Sequence, residues 1–188
     1  RDLEYVNINE PFQGLFTQGM VTHQTYKSSG GNWLAPDEVI KQSNRFVDLK
    51  NKLVNVGKIE KMSKSKKNVI DPSKTIDMYG ADTARWFMLS DSPPERDLEW
   101  TEFGIASSYK FINKIWDLSS ELFENNYREK NNLDDDKIKT DINYTIKKVT
   151  DNIDLFHYNK AIANIHEFIN NAQKFITNKT VSKGEAIN

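Results

Sequence analysis

The chain has 188 residues and a mass of 21.8 kDa, with 37% hydrophobic residues and a mean hydropathy of −0.70, which fits a globular protein rather than a disordered one. Its 26 Lys and Arg against 27 Asp and Glu leave a net charge of −1, so a polyanion must be met by a local cluster rather than by a global field. The absence of cysteine excludes disulfides, thiolate metal sites and cysteine nucleophiles; with no apolar run of membrane-span length, a cytoplasmic location is expected.

Residues 1 to 60 carry short apolar runs broken by Gly, Pro, Asn and Ser, whereas residues 101 to 180 carry helical periodicity almost free of Gly and Pro. In the first region Gln18 to Tyr26 is rich in β-branched and aromatic residues. Lys27 to Gly31 then separates it from Asn32 to Leu34, a pattern that predicts a hairpin. Arg45 to Leu49 and Leu53 to Val56, split by Lys50 to Lys52, form a candidate second hairpin. Asp71 ahead of Pro72 predicts a capped helix from Pro72 to Tyr79, with Gly80 as its stop. A second short helix is expected from Asp82 to about Leu89, broken by the prolines of Asp91 to Pro94 and followed by extended chain from Asp97 to Trp100.

From Thr101 the apolar set Ile105, Tyr109, Ile112, Trp116, Ser119 and Phe123 steps by three and four, describing one stripe of a long helix. Asn125 to Asp136 reads as a charged connector. Ile138, Ile142, Ile146, Val149, Ile153 and Phe156 form a second stripe, and Ala161, Ile165, Phe168, Ala172 and Phe175 a third. Three such helices bury their stripes against one another in an antiparallel bundle. The fold class expected is therefore mixed α and β, mainly α.

Lys61 to Asn68 carries the chemistry. Lys61, Lys64, Lys66 and Lys67 lie with Ser63 and Ser65 between an apparent strand and the helix capped by Asp71. Small hydroxyl residues make such a loop mobile, and several ammonium groups on long stems can converge on one polyphosphate beside a helix N-terminus. The competing reading is a solvated charged turn. His23, His157 and His166 have no second ligand at metal spacing, and Asp134 to Asp136 lack the glycine and glutamate of a calcium loop, so no metal site is expected. Trp86 and Trp100 read as core anchors.

Lys61 to Ser65 spell KMSKS, and this segment resembles that signature of the class I aminoacyl-tRNA synthetases. Asn68 to Pro72 and Tyr79 to Arg85 resemble the continuation found in the subclass for branched aliphatic amino acids. Within that subclass the chain is most similar to the leucyl-tRNA synthetase family, through Glu10 to Val21, Trp86 to Trp100 and Tyr158 to Ala163. Isoleucine and valine enzymes usually have Gly where this chain has Lys67. An isoleucine, valine or methionine enzyme, and a free-standing helical RNA-binding or protein-interaction module, remain the alternatives.

The resemblance implies a Rossmann-type catalytic domain closing at residues 1–72 with the KMSKS loop, a connecting stem at 73–104 and the start of a helical tRNA-binding bundle at 105–188. It implies leucine activation by ATP, with Mg2+ entering through the ATP phosphates, followed by transfer to tRNA(Leu) by a monomeric enzyme. Lys64 would be the principal phosphate ligand, Lys61 its helper, Met62 the packing anchor, and Ser63 and Ser65 donors. Lys110, Lys114, Lys147, Lys148 and Lys160 are the candidate tRNA contacts on the helices. The family's HIGH motif and its editing domain are not recognisable here, and the sequence begins with Arg, so it reads as an excerpt of a longer chain that does not aminoacylate by itself. The region from Trp33 to Lys58 is short beside relatives with an inserted leucine-specific domain, and His166 stands where the resemblance leads one to expect an apolar residue.

Overall fold

The computed structural model describes residues 3–5, 7–8, 10–43, 45–124 and 133–178. Six strands come first or nearly so: β1 (Val21–Ser28), β2 (Trp33–Leu34), β3 (Val39–Gln42), β4 (Arg45–Asp48), β5 (Val54–Lys61) and β6 (Leu98–Glu99). Helices α1 (Pro72–Tyr79) and α2 (Ala81–Ser90) precede β6; α3 (Glu102–Glu124), α4 (Leu133–Asp154) and α5 (Tyr158–Asn178) follow it. The mixed, mainly helical class expected from the sequence is observed.

The main sheet runs β2-β1-β5, all antiparallel, and β6 adds to β1 in parallel. The first hairpin forms, shifted along the chain: the ladder begins at Val21 rather than Gln18, and the turn is closed by the Gly31 N–H donating to the Ser28 carbonyl at 2.9 Å. The second hairpin is corrected. β4 pairs back onto β3, with Lys41 opposite Phe46, while its pairing with the chain that follows is limited to an antiparallel bridge between Val47 and Leu53 and the Asp48 N–H donating to the Lys52 carbonyl at 2.8 Å. Val54 to Lys61 instead extends for eight residues along β1, Thr22 lying opposite Lys61. A two-stranded hairpin is marginal in water, and the longer pairing with β1 joins this segment to a sheet that covers a core.

Asp71 caps α1 by accepting from the Ser73 N–H at 2.9 Å. Gly80, at φ +82, ends that helix and starts α2, a left-handed conformation that other residues rarely hold. The turn redirects α2 so that Phe87, 2% exposed, meets Leu98 and Ile105 in a core that also takes Tyr79, Ala84 and Trp100. Trp100 meets Phe87 edge-on at 5.1 Å and Trp86 stacks on Phe111 at 5.1 Å, so both tryptophans pack as anchors.

Only part of the expected helical stripes is buried. On α3 the inward face is Ile105, Ser108, Phe111 and Leu118, with Leu122 half-buried, while Tyr109, Trp116 and Phe123 are exposed. On α4 Ile138 is buried but Ile146 and Ile153 are exposed, as is Phe156 in the turn that follows. The reason is shared: each helix offers apolar residues over more than one face, and neighbour geometry rather than periodicity selects the buried one. The stripe on α5 is observed, with Ala161, Ile162 and Ala172 buried. This helix sits between α4 and the α2–α3 pair, and Phe111–His166, Lys114–Asn170 and Leu118–Ala172 contacts show α3 and α5 running in the same direction. The short turn through His157 folds α4 back against α5. The expected connector Asn125 to Asp136 is shorter than read, because α4 already starts at Leu133; residues 125–132 lie outside the described residues.

The KMSKS-like loop as candidate active site

β5 delivers Lys61 to the edge of the sheet, where the Met62 N–H still donates to the Val21 carbonyl at 3.1 Å. The Met62 side chain is half-buried and lines an apolar cavity of about 280 Å³ with Val21, Ile70, Ile76, Met88 and Trp100. Beyond it the chain makes a 3-10 turn at Lys64–Lys66. Ser63 Oγ caps the turn by accepting from the Lys66 N–H at 3.3 Å, and Ser65 Oγ lies 3.3 Å from Ser63 Oγ. Lys67 closes the turn in the left-handed conformation, φ +56, its N–H donating to the Lys64 carbonyl at 3.2 Å.

The four lysines are not equivalent, which corrects the picture of a common convergence. Lys66 pairs with Glu60 and lies 5.9 Å over the Trp33 ring, and Lys67 lies 3.6 Å from Glu38. Lys61 and Lys64 are exposed and meet no carboxylate among the described residues. Pairs as solvated as these two contribute about 0 to 1 kcal/mol, so they neutralise Lys66 and Lys67 more than they hold the loop. The two free cations are the two within the five-residue signature.

Sequence reasoning missed what holds the loop. Asn68 is wholly buried; its Oδ1 accepts from the Ser63 N–H at 2.9 Å, and its Nδ2 donates to the carbonyls of His23, Glu60 and Lys61 at 3.2, 3.2 and 3.3 Å. An asparagine in a lysine-rich polar run carries no sequence signal of burial. The only hint was its place after a loop that must be closed.

His23 is buried against β5, with Nδ1 2.9 Å from the Gln24 carbonyl, and His157 joins α4 to α5. His166 packs on Phe111, ring centroids 3.5 Å apart, and its Nε2 accepts from Trp86 Nε1–H at 3.4 Å. Burial, and then the charge of Lys114, push its pKa down. Among the described residues no cluster of three His, Cys, Asp or Glu is placed to hold a metal, and no helix is long and apolar enough to cross a membrane. The candidate RNA contacts are partly engaged: Lys114 donates to Asn170 at 2.7 Å, Lys147 lies 3.6 Å from Asp151, and Lys148 covers Tyr144 at 5.4 Å. Lys110 and Lys160 are exposed.

Residues 45–101, which include this loop, match the family model described as tRNA synthetases class I (I, L, M and V). The leucine-tRNA ligase of Rhizorhabdus wittichii is 46% identical over 169 residues, covering 90% of this chain and 19% of the relative. That of Rickettsia bellii is 49% identical over 168 residues, 89% of this chain and 20% of the relative. A solved structure, the ternary complex of Agrobacterium radiobacter K84 agnB2 LeuRS-tRNA-LeuAMS, superposes with a TM-score of 0.69 at 25% identity, covering 99% of this chain and 20% of that one. The chain thus spans about one fifth of the length of the proteins it matches. Over nine-tenths of its own length, the chain is similar to one segment of the leucine-tRNA ligases, and residues 45–101 match the class I synthetase model.

Proposed function

We propose that this segment supplies the phosphate-binding loop of an enzyme that activates leucine with ATP and transfers it to tRNA(Leu). The observation that carries the reading is the division of the loop's lysines: Lys61, at the end of β5, and Lys64, in the anchored turn, meet no carboxylate among the described residues, while Lys66 and Lys67 are paired with Glu60 and Glu38. In leucyl-adenylate formation the leucine carboxylate attacks the α-phosphate and negative charge builds on the departing pyrophosphate. Ammonium groups set around those oxygens favour the transition state over the ground state, which is the condition for acceleration. Lys64 is the principal ligand and Lys61 its helper. Met62 anchors the loop through the apolar cavity, and Ser63 and Ser65 keep its turn closed. No side chain acts as general base, because the carboxylate is already an anion. Mg2+ would enter with the ATP phosphates, whose charge it would offset.

Residues 1–72 are the closing part of a Rossmann-type catalytic domain, 73–104 a stem and 105–188 the start of the tRNA-binding bundle, in a monomeric cytoplasmic enzyme. The family match ends at residue 101, close to the proposed end of the stem, and β6 ties the stem back to β1. For tRNA, charge favours a surface beside the loop over the helices. Residues 41–67 hold nine Lys and Arg against two Asp and Glu, a net of +7 in a chain of net −1. Lys41, Arg45, Lys50, Lys52 and Lys58 are exposed there and meet no carboxylate among the described residues.

The test is Lys64→Ala in the full-length protein. Leucine-dependent pyrophosphate exchange is expected to fall by roughly a hundredfold, as for loss of one oxyanion donor, with the melting temperature unchanged. Exchange at the parent rate would refute the assignment of the loop.

A further inference from the structure

We infer that Asn68 is the positioning residue of the KMSKS-like loop, acting on the phosphates only through Lys61 and Lys64; the inference rests on the function proposed above. The loop leaves the sheet at Lys61 and returns at Asn68, and one buried amide joins both ends. Its Nδ2 reaches the Lys61 carbonyl where the loop begins and its Oδ1 holds the Ser63 N–H just inside it. The same Nδ2 spans both strands of the underlying pair, binding His23 on β1 and Glu60 on β5. With two hydrogens for three carbonyls, one hydrogen is shared, so the amide has no donor left over and one orientation only.

This arrangement separates two tasks. The backbone of Lys61 is held on either side, at its carbonyl by Asn68 and by its place opposite Thr22 in the ladder. Lys64 follows directly on the held Ser63, and its carbonyl accepts from the Lys67 N–H. Both ammonium stems therefore spring from a fixed base while remaining exposed. Fixing the base before ATP arrives removes backbone ordering from the activation barrier, so Asn68 contributes to rate without touching substrate. The ion pairs of Lys66 and Lys67 are too solvated to replace it.

The experiment is a double-mutant cycle in the full-length protein, read by pyrophosphate exchange and thermal melts. Asn68→Ala is expected to lower kcat by at least about tenfold with the leucine KM unchanged. In a Lys64→Ala background the same substitution is expected to lower kcat by less than about threefold, while its effect on the melting temperature is the same in both backgrounds. Equal rate losses in both backgrounds would make Asn68 a scaffold residue and overturn the inference. An unchanged rate for Lys64→Ala alone would overturn the assignment of the loop itself, a separate outcome. Asn68→Asp keeps the volume and the acceptor for Ser63 but turns a second oxygen toward three carbonyls, so burial holds its carboxyl protonated more readily. Relative to the parent, its exchange rate is expected to recover as pH falls from about 8 to about 6, and a flat ratio counts against the inference.

Discussion

Gly19→Ala offers a severe test of how the segment before β1 is held. A Cβ at position 19 would lie 2.0 Å from the Arg96 carbonyl oxygen, 2.1 Å from its carbon and 2.6 Å from the Asp97 nitrogen. All three are backbone atoms, so no side-chain rotation relieves the clash, and the loop ahead of β6 must move away. That loop is tied to the same stretch by Gly19 N–H to the Pro94 carbonyl at 2.8 Å, Met20 N–H to Asp97 Oδ1 at 2.8 Å and Leu98 N–H to the Met20 carbonyl at 2.9 Å. Overpacking costs about 1 to 3 kcal/mol and the loss of one of these hydrogen bonds adds about 1, so a total of about 2 to 4 kcal/mol is expected. For a chain of this size that corresponds to a fall in melting temperature of roughly 4 to 16 °C. Gly14 is the control, since nothing lies within 4 Å of its added Cβ, and Gly14→Ala is expected to stay within about 0.5 kcal/mol of the parent. Thermal melts of both variants decide the matter. Equal melting temperatures would mean that the 91–98 loop is not docked on residues 19–20 as described.

Two further outcomes follow from charge. The pKa of His166 is pushed down in the fold, so the unfolded chain takes up a proton that the folded chain resists; stability is expected to fall as pH drops from about 6.5 toward the lowered value, and His166→Leu should flatten that slope in melts across pH. For the basic surface beside the loop, replacing Lys41, Lys50 and Lys52 by Ala in the full-length protein should cut the salt dependence of tRNA binding by roughly 0.7 to 0.9 per lysine that meets a phosphate, whereas Lys147→Ala with Lys148→Ala should leave it near the parent value.

The elements most legible in the sequence are those fixed by local chemistry. Asp71, Pro72 and Gly80 announce α1 because a cap, a preset φ and a left-handed stop act within one turn of chain. The loop was legible for the same reason, as a run of cations between a strand and a capped helix. What failed either carried a weak local signal or needed distant partners. ValIleLysGln at Val39–Gln42 carries no strand signal stronger than its neighbours, yet it pairs with Arg45–Asp48, and the segment expected to do so is drawn to β1 instead. Apolar spacing on α3 fits two faces, Tyr109–Trp116–Phe123 and Phe111–Leu118, and only the position of α5 selects the second.

The site shows the same division between what is local and what is not. Lys61 and Lys64 stand out by type and spacing, but their freedom depends on carboxylates elsewhere: Glu60 precedes the loop on β5 and Glu38 lies in the 3-10 turn Pro36–Glu38. Those two acids offset the charge of Lys66 and Lys67 and leave Lys61 and Lys64 as the two lysines of the loop without a carboxylate partner among the described residues. Asn68 then turns a flexible serine-rich run into a fixed platform by satisfying one amide and three carbonyls from a fully buried position. A buried polar side chain is tolerated only when its hydrogen bonds are met, so its burial and its four contacts are one fact. The charge proposed to meet the phosphates is written in the loop, and the geometry that fixes the base of that charge is written in the sheet beneath it.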